Sequence, residues 1–477
     1  MSLLKKKQKI LKIITIFVIL ALLHNMLIGI IKGQQITKNQ NLPINKISNS
    51  YDLIIITPEK FVRYLTPLVE HKNSHGIKTN LIKVEDIYIQ ESLDGRDNAE
   101  KIKFFIKDAK EKWDIKYVLL AGGRKNQLEE ETWWVPVRYT YLDRNYGSHP
   151  ERKFLTDLYF ADIYDKNGNF SSWDDDNDGF FGEWPQNESA TDIPDLYPDV
   201  CVGRLPFRNV FEVKWVVNKI IRYENGNPLE AWFNKIAVVA GDTYPNKTDY
   251  IDGEVYTQEA LNLMPDFEHI KLWTSDGSLK NWFEIVNTIN KGCGFVFFSG
   301  HGGPNTWGTH PPNDSATWIN FKIKNMLFLI NGDKLPVVLT ASGCFISMFN
   351  VSLGHTEWVY FRGIKYNIPR CWSWTLVRKP FGGSIAVIGS TAFSYESSDI
   401  NSGVGGCEQL DIKFFEQYGQ KKITILGECW KGAIDSFLQN FTINWSDKSK
   451  TGDALIAKNC EQWLLIGDPS LKIGGYN

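Results

Sequence analysis

The chain has 477 residues, of which 43% are hydrophobic, 23% charged and 13% aromatic; this composition excludes a disordered or fibrous protein and leaves room for two or three domains. With 53 basic and 55 acidic residues the net charge is −2, so there is no overall positive field to hold nucleic acid. Seven cysteines are too few for a disulfide-built scaffold, and the odd count leaves at least one thiol without an intramolecular partner.

Residues 1–32 differ from the rest. Lys5, Lys6, Lys7, Lys9 and Lys12 precede an apolar run from Ile13 to Ile31, interrupted by Thr15, His24 and Asn25. A basic flank followed by an apolar stretch is an export signal. The run is close to the roughly 20 residues that cross a bilayer and no small-x-small cleavage site follows, so signal peptide and membrane anchor are equally open. Either places the remainder outside the cytoplasm. These 32 positions hold six lysines and no acid, which leaves 47 basic against 55 acidic residues beyond them.

After a polar linker, 33–50, short β-branched runs alternate with amphipathic segments, the pattern of a mostly parallel sheet flanked by helices. Strands are expected at 52–57, 79–84, 117–121, 236–240, 294–299, 336–340 and 384–389, apolar enough for burial on both faces. Helices are expected at 58–74, 99–113, 211–223 and 279–291. The stretch 127–196, rich in aromatics, Asp, Asn and Gly, reads as an elaborated insertion. A division near 210 gives two α/β subdomains, 51–210 with the acidic insertion and 211–477.

Within the insertion, Asp174, Asp176, Asp178 and Gly179 reproduce the first half of a calcium loop, with oxygen ligands on alternate residues. Position 12 of such a loop is Pro185 instead of Glu, although Glu183 lies two residues earlier. Asp162 and Asp165 are additional oxygen ligands without a spacing argument. A solvated Asp/Asn turn is the alternative; an extracellular setting favours calcium.

Three strand ends carry chemistry. Val238-Val239-Ala240-Gly241-Asp242 presents a carboxylate that could fix an imidazole tautomer, or that simply serves a turn. Phe297-Phe298-Ser299-Gly300-His301-Gly302-Gly303 ends a buried strand in a histidine bracketed by glycines, where active sites of α/β sheets lie. Val337 to Thr340 runs into Ala341-Ser342-Gly343-Cys344, placing a thiol at the same kind of position. A thiol with an imidazole is the minimum for nucleophilic catalysis at a carbonyl carbon, whereas an isolated cysteine is more often inert core.

At these residues the sequence resembles the gingipain-type cysteine peptidases, peptidase family C25 of the caspase-like clan. The similarity extends from Tyr51 to Gly467-Asp468-Pro469-Ser470-Leu471 and includes Asp157-Leu158-Tyr159-Phe160-Ala161-Asp162 and Val202-Gly203-Arg204-Leu205-Pro206. The resemblance implies a caspase-like α/β fold, Cys344 as nucleophile, His301 as general acid/base, Asp242 as the group orienting His301, and an oxyanion hole of the Gly302 and Cys344 N–H groups. The segment after the last strand resembles that family's specificity region, which makes Tyr395, Glu396 and Asp399 candidate pocket residues, joined by Ser299. An acidic pocket would favour Lys or Arg before the scissile bond. The immunoglobulin-like domain of the best-known members and a long inhibitory prosegment are not expected in a chain that stops just after the Gly-Asp-Pro-Ser-Leu segment.

The other six cysteines show no zinc-type spacing; Cys201 and Cys293 read as core, and the four from Cys371 to Cys460 could supply a disulfide or two. Of the 17 tryptophans, Trp133, Trp134, Trp372 and Trp374 could line a peptide groove, although core packing accounts for most. The expected function is thus an exported cysteine endopeptidase acting on proteins or peptides, tethered to a membrane if the N-terminal segment is retained, with calcium as a structural ion. The alternatives are a transpeptidase that processes or attaches surface proteins, and an inactive calcium-binding adhesin.

Overall fold

The computed structural model describes residues 50–476 except 91–94, 129, 144–150, 152, 228–229, 246–249, 355–366, 397–404 and 450–451. The apolar run 13–31 and Asp399 lie outside the described residues, and no described helix is long and apolar enough to cross a membrane. Asn49–Asn477 forms one compact unit.

The first half of the chain supplies β1 (Leu53–Thr57), β2 (Thr79–Lys83) and β3 (Tyr117–Ala121), a ribbon of β4 (Arg138–Thr140) and β5 (Phe154–Thr156), and β6 (Cys201–Leu205). The second half begins with β7 (Lys235–Ala240), β8 (Glu268–Trp273) and β9 (Phe295–Ser299). A small antiparallel sheet of β10 (His301–Gly303), β11 (Thr306–Thr309) and β12 (Ile319–Lys322) follows, then β13 (Val337–Ala341), β14 (Ala386–Ser390) and β15 (Trp463–Ile466).

Ten strands form one sheet in the order β2-β1-β3-β6-β15-β14-β13-β9-β7-β8. All neighbours are parallel except β14 and β15. The two halves therefore run in opposite directions, and the carboxyl ends of β7, β9, β13 and β14 share one edge while those of β1, β3 and β6 share the other. The seven strands expected from the sequence are all present within two residues, because runs such as Leu53 to Ile56 are wholly buried beneath helices on both faces.

Three main-sheet strands depart from the sequence expectation, each for a physical reason. Strand β6 is interrupted by Gly203 and Arg204, and the buried arginine is satisfied by Asp157, which its guanidinium holds at 2.7 Å, and by the Gly122, Val135 and Pro136 carbonyls. Edge strand β8 exposes Glu268, His269 and Lys271 and so lacks an apolar run. Strand β15 continues from helix Gly452–Gln462 with no glycine or proline between them. The motifs behind the family resemblance meet here: besides the Arg204–Asp157 pair, Ile466 registers with Arg204, and Gly203 packs so closely on the Gly467 carbonyl that a Cβ would sit 2.6 Å from it. Lys72 joins Glu224 at 2.8 Å and Asp468 at 2.9 Å.

All seven cysteines are free thiols, and every one except Cys344 is buried. The disulfide reading for Cys371 to Cys460 is corrected: Cys371, Cys407, Cys429 and Cys460 are core residues at 0% exposure. Trp372 and Trp374 are likewise core, whereas Trp133 and Trp134 are half-buried.

Candidate active site

Strands β9 and β13 lie side by side in register, Ser299 opposite Ala341. Each then leaves the sheet at the same edge. Gly300, at φ 151°, turns the chain into β10, a region open to glycine, and brings His301 over the sheet end. A Cβ on Gly302 would sit 2.5 Å from the Gly343 carbonyl carbon and 2.7 Å from the Cys344 nitrogen. The backbone of Gly302, next to His301, is thus packed on the Gly343–Cys344 peptide, where only glycine fits. Cys344 itself is carried on a strained turn, because Ser342 and Phe345 on either side have φ of 60° and 58°.

The His301 ring has its Nε2 2.8 Å from the Thr243 carbonyl. A carbonyl only accepts, so Nε2 carries the proton and Nδ1 is the nitrogen that can take one. The ring is walled by Tyr244 at 5.5 Å and Trp318 at 5.4 Å between centroids. Asp242 sits one residue before Thr243 at 5% exposure, its N–H on the His310 carbonyl at 2.9 Å. Its carboxylate takes the backbone N–H groups of Tyr244 and Asn313, while burial and the nearby Asp252 raise its pKa. Its Oδ1 is buried without a hydrogen-bond donor.

The Cys344 thiol is held by one residue in three ways: Ser394 places its Oγ at 3.2 Å, its N–H at 3.4 Å and its carbonyl at 3.7 Å from Sγ. Burial pushes the thiol pKa up, Ser394 opposes this, and the carboxylates of Glu151 and Glu396 add to it. The Cys344 N–H donates to the Ser342 carbonyl at 3.0 Å, so this expected oxyanion donor is engaged locally. Glu151 belongs to the insertion and reaches this edge by accepting the Phe393 N–H and pairing with Lys458.

Of the other expected pocket residues, Ser299 is fully buried beneath the site, beside Gly253, with no partner for its Oγ. Tyr395 and Glu396 are half-buried. Glu396 meets the Ser342 hydroxyl and the Asp252 carboxyl, and its pKa is raised well above the ordinary value by burial, then by Asp252 and Glu408. Asp252 also accepts the Thr243 N–H at 2.8 Å. One chain of contacts therefore runs from Glu396 through Asp252 and the Thr243 peptide to His301. Sequence reasoning missed Thr243, Asp252 and Ser394; Thr243 acts through its backbone carbonyl, Ser394 through its hydroxyl and its backbone, and Asp252 opens a helix, Asp252–Asn262, whose apolar spacing is weak.

In the acidic loop, Asp176, Asp178 and Glu183 bring carboxylate oxygens within 4.8 Å of one another, and Asp174, Asp176 and Asp192 do the same. Asp174 is already engaged by Arg96 and by the N–H groups of Asp178 and Gly179 at 3.0 Å. Asp192 takes the N–H groups of Asp175 and Glu183, and burial pushes its pKa up to about 7. Asp176, Asp178 and Glu183 are residues that could hold a hard cation, although Asp176 accepts the Asp178 N–H, Asp178 the Phe180 N–H and Glu183 the Thr191 hydroxyl. Asp162 instead holds the Trp173 indole N–H, and Asp165 caps its own turn.

The family model for peptidase family C25 matches residues 46–474. The chain is 21% identical over 433 residues to gingipain R2 of Porphyromonas gingivalis, covering 88% of this chain and 46% of that one. It is 26% identical over 262 residues to an uncharacterized protein of Archaeoglobus fulgidus, covering 50% and 59%. The chain spans less than half the length of the gingipains it matches. Among solved structures, the Arg-specific cysteine proteinase gingipain R is similar in fold, with a TM-score of 0.57 at 19% identity over 91% of this chain and 80% of that one. The complex of pro- and mature domains of a Porphyromonas gingivalis gingipain gives the same TM-score and identity over 88% and 79%.

Proposed function

The chain belongs to peptidase family C25, and from that premise we propose that it is an exported cysteine endopeptidase, with Cys344 as nucleophile and His301 as general acid/base. The observation that supports this reading is the close packing of Gly302, next to His301, on Gly343 and Cys344 at the adjoining ends of β9 and β13. His301 Nδ1 takes the thiol proton, Sγ attacks the substrate carbonyl carbon, and a tetrahedral oxyanion forms facing the Gly302 and Cys344 N–H groups. The Cys344 N–H turns from the Ser342 carbonyl toward that oxyanion. Collapse expels the amine with the proton from His301 and leaves an acyl-thioester, which water, deprotonated by His301, hydrolyses. Asp242 braces the Thr243 carbonyl that fixes the imidazole.

We further propose that Glu396 and Asp252 receive a Lys or Arg side chain before the scissile bond; the structurally similar gingipain R is itself an Arg-specific proteinase. Glu396, whose pKa is raised by burial and by Asp252, would hold its proton when no cation is present, and a guanidinium would displace it.

The test is cleavage of a peptide library by the wild type and by Cys344→Ala. We expect turnover to fall by a factor on the order of 10⁵, with basic residues dominating the cleaved positions; an unchanged rate would remove Cys344 from the mechanism. A structural calcium ion at Asp176, Asp178 and Glu183 is the corresponding proposal for the insertion: chelation should lower the melting temperature by a few degrees, reversed by added calcium, and Asp176→Ala should abolish the difference.

A further inference from the structure

Five large apolar side chains stand together in solvent on a surface that the catalytic reading does not use. Phe283, Leu327, Phe328, Ile330 and Phe381 are 59%, 74%, 57%, 77% and 81% exposed. They are tied into one patch. The Asn290 amide donates to the Phe328 carbonyl and accepts the Ile330 N–H, the Gly332 N–H donates to the Phe381 carbonyl, and Phe328 stacks on Trp282 beside Phe283. Each is more than half exposed; Phe283 projects from the first turn of helix Trp282–Lys291, Leu327 and Phe328 from a 3₁₀ turn, Asn325–Phe328, and Ile330 and Phe381 from loops. A solvated apolar cluster of this kind marks a docking surface.

The charge around it identifies the partner. Lys291, Lys322, Lys324 and Lys334 are exposed in the same segments. Of the acids there, Glu284 is engaged in the capping box of helix Trp282–Lys291 and Asp333 pairs with Arg222 at 2.9 Å. This is a local excess of positive charge in a chain that is acidic beyond residue 32. Apolar tips ringed by lysine stems and ammonium groups match acyl chains beneath anionic headgroups. We propose that this patch docks the protein on the surface of a membrane rich in anionic phospholipid. The segment 327–333 leads into the amino end of β13, whereas Cys344 follows its carboxyl end, so docking would leave the active-site edge turned away from the bilayer.

The full chain is purified whole and then cut at a protease site engineered into 33–48, which keeps the apolar run 13–31 from carrying it to lipid. Sedimentation with vesicles of equal phosphatidylglycerol and phosphatidylcholine should pellet the protein. Partitioning should fall at least tenfold on pure phosphatidylcholine or in Leu327→Ser with Ile330→Ser, and about fivefold for each of Lys322→Gln and Lys324→Gln. Absence of binding, or binding that neither pair of substitutions weakens, overturns the proposal. So does a concentration-dependent dimer that the serine pair abolishes, since the patch would then serve a second copy. Should a variant fold poorly, hydrogen exchange of the unaltered protein decides: vesicles should protect 283–291 and 325–334, and protection elsewhere alone overturns the assignment.

Discussion

In the half of the sheet built from β2, β1, β3, β6 and β15, two buried cations meet opposite charges: Arg204 grips Asp157, and Lys72 lies between Glu224 and Asp468. In the half built from β14, β13, β9, β7 and β8, Asp242, Asp252 and Glu396 crowd one another with no basic side chain at ion-pair distance among the described residues. For Arg204 and Lys72 the desolvation of the charge is offset by an opposite charge within the fold, and removing one partner strands the other. In the second, Glu396 bears a cost of burial beside Asp252 that a proton or an incoming cation would relieve, close to the thiol. The contrast is one of purpose.

The contrast can be broken most severely in the first half. Arg204→Met leaves Asp157 buried without its guanidinium and leaves the Gly122 and Pro136 carbonyls without donors. A loss of about 3–5 kcal/mol in unfolding free energy is expected, measured by urea titration, while turnover per folded molecule stays near wild type. A loss below about 1 kcal/mol would show that the pair is not what locks β6 to the insertion.

In the second half the same kind of change should have the opposite sign. Glu396 holds its proton in the folded protein above the pH at which the unfolded chain has released it, because its pKa is raised by burial and by Asp252. The folded state therefore binds more protons, and the stability contributed by this group falls as pH rises from the ordinary carboxyl value of 4.5 through the raised folded value. Glu396→Gln should flatten that slope and stabilise the protein at pH 8 by on the order of 1 kcal/mol. It should also lower the preference for Lys or Arg over a neutral residue roughly 10- to 100-fold, as expected for one charge-assisted contact. Higher stability with unchanged preference would leave the buried acids without a role in specificity.

How much of this was legible follows the same division. Strands β7, β9 and β13 are continuous apolar runs that end in Asp242, His301 and Cys344, so periodicity alone set these residues at strand ends. Pairing β9 with β13 rests on their being successive apolar runs, although β10, β11 and β12 lie between them in the chain. Strand β6 was hidden because an arginine reads as surface until Asp157, 47 positions away, is brought to it by the fold. Thr243 and Ser394 were hidden for a different reason: a backbone carbonyl belongs to every residue and a serine hydroxyl is common in loops, so nothing in the side-chain pattern marks the one that meets an imidazole or a sulfur.

Ser394 gives the smallest effect and the most direct reading of the site. Its N–H and Oγ–H are the groups that favour an ionised Cys344, against burial, Glu151 and Glu396, which disfavour it. Ser394→Ala removes the hydroxyl and leaves the N–H, so one hydrogen bond to the thiolate is lost, worth about 1 kcal/mol. The rate of Cys344 alkylation by iodoacetamide at pH 7 should drop about fivefold and its pH profile should shift to higher pH. Ser394→Thr, which keeps a hydroxyl, should restore the profile. A residue that merely filled space would change the melting temperature and leave the midpoint of that profile where it was, so an unshifted midpoint in Ser394→Ala would assign thiolate stabilisation to the backbone N–H and His301 alone.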